Sequence, residues 1–112
     1  YTVIQVNFRG STGLGNRVFD AGVGEFGRRM SDDVDDAVRH AVRKGWADPA
    51  RVCIMGGSYG GFAALTGISR AGGFAYRCAV DFAGPADLET LVRAFPPSWQ
   101  PFLPRSWYRF VG

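Results

Sequence analysis

The sequence predicts an α/β protein built on a parallel sheet, and three observations carry that prediction. Short apolar or β-branched runs recur along the chain, "TVIQVNF" at 2–8, "RVCIM" at 51–55 and "CAVDFA" at 78–83. Stretches of helical character follow each of them, from Ser31 to Gly45, at 62–71 and at 85–95. In the order strand, helix, strand, helix, strand, helix, the connections are crossovers, and right-handed crossovers join parallel strands.

Each element has its own warrant. Residues 2–8 end at Arg9-Gly10, the pattern of a buried strand running into a loop. Residues 10–30 carry six glycines and no sustained period, which predicts a long loop of the kind that often bears function. Ser31 is placed to cap the first helix. Its apolar positions Val34, Ala37, Val38, Ala41 and Val42 fall on one face, Asp32 and Asp33 suit the first turn, and Gly45 ends it. His40 lies on the opposite, solvent side. A second helix over 62–71 closes at Gly72-Gly73, and a third over 85–95 opens on a proline. The proline- and aromatic-rich remainder, "PPSWQPFLPRSWYRFVG", reads as ordered but irregular.

Composition bounds the function. With 112 residues, 46% of them hydrophobic, the chain is one domain or part of one. It starts without a methionine and stops just after an aromatic run, so a piece of a larger domain is expected. The +3 charge is scattered over single or paired basic residues, which predicts a solvated surface and no nucleic-acid or membrane partner. No apolar run approaches the ~20 residues that span a bilayer. Cys53 and Cys78 stand 25 positions apart in apolar runs, with no C-x-x-C pair and no companion histidine. Two buried, reduced thiols are expected, with neither a disulfide nor a metal site.

The chemistry concentrates in "MGGSYGGF", residues 55–62. A serine hydroxyl attacks a carbonyl only when a base takes its proton and the chain projects it into a site. The G-x-S-x-G elbow supplies the projection through a strained strand-to-helix turn, and Gly56, Ser58 and Gly60 match it, with Gly57 and Gly61 doubling the frame. The turn places the Tyr59 backbone N–H at a helix N-terminus, where it can donate to an oxyanion. The bland alternative is a glycine-rich turn with an incidental serine. A phosphate-binding loop fits poorly. Ser58 occupies the middle glycine position of G-x-G-x-x-G, "GSTGLG" has its glycines in the wrong order, and Lys44 lies in no P-loop.

Four ordered stretches, "VNFRGSTGLG", "SDDVDDAV", "ADPARVCIMGGSYGGFAAL" and "DFAGPADL", together resemble the catalytic domain of the prolyl oligopeptidase family of serine peptidases, with most likeness to its acylaminoacyl-peptidase-like branch. The resemblance covers essentially the whole chain. It implies an α/β-hydrolase fold, here a partial one over residues 1–112, joined in the intact protein to an N-terminal β-propeller. It further implies cleavage of short peptides by Ser-His-Asp chemistry without a cofactor or metal. Ser58 matches the family nucleophile, Tyr59 the residue whose N–H forms half of the oxyanion hole, and Gly56, Gly57, Gly60 and Gly61 the elbow. The second oxyanion donor would lie before Tyr1. The position where some relatives place a tyrosine hydroxyl donor is Leu14, which cannot donate.

The same resemblance exposes a gap. In the family the catalytic aspartate and histidine follow the serine by well over fifty residues, and here 54 residues follow Ser58 with no histidine among them. Asp81 and Asp87 lie too close to the elbow and are expected to serve structure. The expectation is a serine peptidase whose aspartate and histidine lie outside this chain, so that residues 1–112 alone are inactive. The alternatives are a non-catalytic binding or structural module, or an esterase of the same fold. In the implied sheet, strands 51–55 and 78–82 are parallel neighbours. Strand 2–8 stands two spacings from 51–55, with a strand from before Tyr1 between them.

Overall fold

The structure, a computed structural model, describes all of residues 1–112. Its centre is a parallel pair, β1 (Cys53–Gly57) and β2 (Cys78–Phe82), in register from Cys53 opposite Cys78 to Gly57 opposite Phe82. The helix α3 (Tyr59–Ser69) makes the crossover and packs on one face of both strands. Small residues permit this close packing, because Ala63 and Ala64 on α3 are buried and a side chain at Gly67 would crowd Ile54 and Tyr76. Along β1, exposed and half-buried residues alternate, so only one face of the pair is covered. Met55, Val80 and Phe82 line the other face at 77%, 53% and 77% exposure, which makes this a two-layer α/β piece open on one side.

A long amphipathic helix, α2 (Arg29–Arg43), supports α3. Val38 and Ala41 are buried on the predicted face, with Val34, Ala37 and Val42 half-buried beside them. The helix ends where Gly45 takes φ 73°, with the Gly45 N–H donating to the Val42 carbonyl and the Trp46 N–H to that of Ala41. That pair of bonds is the Schellman arrangement, and it needs a residue tolerant of positive φ. The start differs from expectation. Ser31 is not the cap: it lies inside the helix, buried, with its hydroxyl unpaired. The Glu25 carboxylate and carbonyl accept from the Arg29 and Met30 N–H groups, and buried Met30 anchors the first turn, so the helix begins three residues before a Ser31 cap would start it.

Three further expectations are corrected. Residues 2–8 form no strand, although the absence of any backbone hydrogen bond from them to β1 agrees with the two-spacing expectation. A groove of about 740 Å³ lies between, lined by Val3, Val6, Val34, Val38, Ile54 and Met55 among others. A strand exists only as a partner in a ladder, and this segment has none. The two cysteines are neither reduced nor buried: as first-rung register partners on the same exposed face, with Cα atoms 4.7 Å apart, Cys53 and Cys78 form a disulfide. The third helix, α4 (Leu88–Arg93), starts after Pro85, because the Asp87 carboxylate caps it by accepting from the Thr90 N–H at 2.7 Å.

The remaining segments wrap the α3 side. Within the predicted loop 10–30 sits one short helix, α1 (Asn16–Asp20). After α4 comes a 3₁₀ segment over Pro97–Arg105 and then α5 (Trp107–Val111), held by buried Leu103 and by an Arg109–Asp20 ion pair. No helix is long and apolar enough to cross a membrane.

Candidate active site around Ser58

The serine turn is assembled from both strands. Where β1 ends, Ser58 adopts φ 54° and ψ −119°. This is left-handed territory that a side chain enters at a cost of roughly 1–3 kcal/mol and keeps only where its surroundings enforce it. The enforcement is visible. The Ser58 N–H donates to the Phe82 carbonyl at 2.9 Å, extending the β1–β2 ladder by one bond, while its own carbonyl accepts from the Gly61 and Phe62 N–H groups at 3.0 and 3.1 Å. The residue thus belongs to sheet and helix at once. Its side chain is exposed and makes no hydrogen bond within the chain.

Two of the four framing glycines are sterically required. A Cβ on Gly56 would lie 2.6 Å from the Gly60 Cα, and one on Gly61 would lie 2.7 Å from the Gly84 Cα and closer still to the Asp81 carboxylate. Gly57 meets only ordinary contacts and Gly60 open space. Of the two motif glycines on either side of Ser58, Gly56 is thus required as expected, whereas Gly60 is not, and the close approach on the helix side falls at Gly61 instead. Sequence reading missed the other half of the second contact, the exit from β2. There Ala83 takes φ 52° and the Gly84 N–H donates to Asp81 Oδ1 at 2.8 Å. The signal was present in "DFAG", but nothing local says that Gly84 abuts Gly61.

Tyr59 opens α3, so its backbone N–H has no acceptor within the helix and stays available beside Ser58. Its ring is the hub of an aromatic cluster, with centroids 4.5 Å from Phe26, 5.2 Å from Phe8 and 5.8 Å from Phe62. The phenol is buried without a hydrogen-bond partner, and burial, reinforced by the nearby Asp33 carboxylate, pushes its pKa well up. The same ring lines an apolar pocket of about 540 Å³, together with Phe8, Phe19, Phe26, Met30 and Trp107.

Two ion pairs hold this region. Arg9 grips Asp33 three times, through its backbone N–H at 2.9 Å, Nε at 2.8 Å and Nη2 at 2.7 Å, which ties the start of the glycine loop to α2. The Arg9 hydrogen bonds hold the Asp33 carboxyl below its usual pKa against the opposing effect of burial. Asp35, 1% exposed, accepts from Arg70, the Phe74 N–H and the Tyr76 hydroxyl. Burial alone would raise its pKa, but the hydrogen bonds from Arg70, Tyr76 and Phe74 outweigh that and lower it. The burial of Asp35 is not legible from helical periodicity, since charged residues rarely enter a core unless paired.

His40, the chain's one histidine, is exposed near the far end of α2, edge-on to Trp46 at 5.7 Å. Asp81 and Asp87 are engaged with the backbone at Gly84 and Thr90. The chain therefore brings together a projected serine, a free helix-terminal N–H and an apolar pocket, with no histidine or carboxylate hydrogen-bonded to Ser58.

Comparison with known proteins adds the missing context. The sequence model described as the prolyl oligopeptidase family matches residues 1–110. Dipeptidyl peptidase family member 6 of Caenorhabditis elegans is 50% identical over 102 residues, 91% of this chain and 14% of that protein. Dipeptidyl aminopeptidase BIII of Pseudoxanthomonas mexicana is 49% identical over 91% of this chain and 15% of its own length. The acylamino-acid-releasing enzyme of Arabidopsis thaliana is 40% identical over 55% of this chain and 8% of its own. The chain thus spans about one-seventh of the first two relatives.

Proposed function

Because the chain belongs to the prolyl oligopeptidase family, we propose that it is the nucleophile-bearing part of a serine peptidase of α/β-hydrolase fold. The observation that carries this reading is Ser58 at φ 54° between β1 and α3, exposed and held by the Phe82 carbonyl. A residue is kept in such a conformation where projection of its side chain serves chemistry.

In this reading a peptide carbonyl lies over Ser58, Oγ attacks it, and the oxyanion that forms takes a hydrogen bond from the Tyr59 N–H. The apolar pocket walled by the Tyr59 ring receives a substrate side chain. The Oγ proton passes to a histidine oriented by an aspartate, both from sequence outside residues 1–112, as are the β-propeller and the second oxyanion donor. In this arrangement the groove between residues 2–8 and β1 receives a strand that precedes Tyr1. Names of relatives support a peptide substrate, since both dipeptidyl peptidases and acylamino-acid-releasing enzymes are among them.

The test uses the natural full-length protein with a fluorophosphonate probe and peptide arylamides. Ser58→Ala is expected to abolish labelling and to lower kcat by roughly 10⁵-fold or more, the range for losing an activated serine. Undiminished turnover in Ser58→Ala would overturn the assignment, and a full-length protein that never labels would favour a non-catalytic module. Residues 1–112 alone are expected to give no stoichiometric labelling. Ser58-dependent labelling of that piece, lost in His40→Ala, would show a base where the chain has none.

A further inference from the structure

Two residues other than glycine take positive φ in this chain, Ser58 at 54° and Ala83 at 52°. They follow the ends of neighbouring strands, and one hydrogen bond joins their peptide units, from the Ser58 N–H to the Phe82 carbonyl at 2.9 Å. The Phe82 carbonyl and the Ala83 N–H belong to the same planar unit. Relaxation of φ at Ala83 therefore turns that unit and carries the acceptor away from Ser58. Strain of this kind persists only where the surroundings enforce it, so the exit from β2 needs a brace of its own.

Asp81 supplies the brace. Its Oδ1 accepts from the Gly84 N–H at 2.8 Å, which closes the turn 81–84 around Ala83. Asp81 is the register partner of Gly56, the first glycine of the elbow. Its carboxylate lies in the seam between the first turn of α3 and the exit from β2, where a Cβ on either Gly61 or Gly84 would run into Oδ1. These contacts join β1, β2 and α3 to one another, so they hold whichever strands flank the pair. No hydrogen bond joins Asp81 to Ser58 itself, and its influence passes through the backbone.

We propose that Asp81 is a positioning residue for the nucleophile, a role that rests on the reading of Ser58 as that nucleophile. The carboxylate fixes Gly84, Gly84 fixes the left-handed Ala83, and the Phe82 carbonyl then holds the Ser58 N–H. What the turn needs from residue 81 is an acceptor oxygen, not a charge. An asparagine supplies that oxygen and an alanine does not. Asp81 differs in this from the aspartate of a catalytic triad, whose replacement by asparagine costs about 10⁴-fold in kcat because the histidine is left in the wrong tautomer.

The experiment uses the natural full-length protein and its Asp81→Ala, Asp81→Asn and Asp81→Ala/Ala83→Gly variants, with Ser58→Ala as the control for the nucleophile. Asp81→Ala is expected to lower kcat for a peptide arylamide and the rate of fluorophosphonate labelling by about tenfold, with KM within about twofold, because the unbraced turn projects the serine less of the time. Asp81→Asn is expected to stay within about threefold of the natural protein in both. Glycine takes a positive φ without strain, so adding Ala83→Gly is expected to recover about threefold of the loss in Asp81→Ala. Amide exchange of peptides covering 57–62 and 79–84 is expected to quicken by about tenfold in Asp81→Ala and to be unchanged in Asp81→Asn. Exchange in Asp81→Ala within about twofold of the natural protein would overturn the proposal, as would a fall in kcat beyond about threefold in Asp81→Asn. Where Asp81→Ala does not fold, the asparagine variant decides by that same limit. The exchange arm needs no catalysis, so it decides about Asp81 even where Ser58→Ala retains turnover and the peptidase reading fails.

Discussion

Residues 2–8 and 53–57 make the most instructive comparison in the molecule. Both are short runs with apolar and β-branched character, and both stand immediately before a glycine-rich turn. One is a strand in a parallel ladder, and the other is a segment without a ladder whose Val3 is almost fully exposed. Propensity does not separate them. What separates them is partners: residues 53–57 have β2 beside them and α3 above, whereas residues 2–8 face a groove. β-propensity describes fitness for a pleated, half-buried surface, and it produces a strand only when that surface is supplied.

The largest expected effect attacks what the working strand has and the idle one lacks. Gly61→Ala drives a Cβ into the Gly84 backbone and the Asp81 carboxylate, so neither side can relax cheaply. The loss is expected to reach about 3 kcal/mol or to prevent folding, because overpacking a rigid contact lies at the upper end of its range. Gly60→Ala, one position away with open space around its Cβ, should stabilise α3 slightly through helix propensity, by about 0.5–1 kcal/mol. Urea denaturation of the two variants gives opposite signs if the narrowed assignment of the glycines holds. Equal destabilisation would refute it.

Of comparable size is the pin that holds α2 against the strand-bearing half. Asp35→Ala leaves Arg70, the Phe74 N–H and the Tyr76 hydroxyl without their common acceptor. Breaking a buried pair in this way costs about 3–5 kcal/mol. A measured loss under 1 kcal/mol would mean that the network is decoration.

Acid probes the same pin together with the Arg9–Asp33 clamp that holds the end of residues 2–8. Both carboxyls have pKa values lowered in the fold, so their stabilisation is complete above the unfolded value of about 3.9. It disappears as pH falls through the lower folded values. Tm should be flat in this respect near neutrality and drop below about pH 4, and Asp35→Asn should flatten part of that drop. A Tm profile of unchanged slope in that variant would assign the acid sensitivity elsewhere.

The smallest effect sharpens the comparison directly. Ile54→Ala removes a side chain packed toward Gly67 and Tyr76 and should cost about 2 kcal/mol, at the low end for a core isoleucine because the residue is only half-buried. Val3→Ala in residues 1–112, where the position is 89% exposed, should fall within about 0.5 kcal/mol of zero. Similar losses at the two positions would mean that residues 2–8 bear on folding more than their exposure allows.

By itself the sequence determined what is local. The helical period of α2, the glycine stop at Gly45, the β1–turn–α3 unit and the positive φ at Ser58 follow from near-neighbour chemistry, and all are present. The family was legible too, because its motifs are contiguous runs matched over residues 1–110. Tertiary structure alone decided what depends on distant partners. Glu25, not Ser31, accepts from the N–H groups that open α2, and Asp87 displaced Pro85 at α4. Asp35 became a buried acceptor because Arg70, Phe74 and Tyr76 arrive from 35 to 41 positions away. Cys53 and Cys78 became a disulfide because register set them side by side. The 2–8 run stayed unpaired for the same reason: a ladder, a buried charge and a disulfide each need a second group whose position no local pattern encodes.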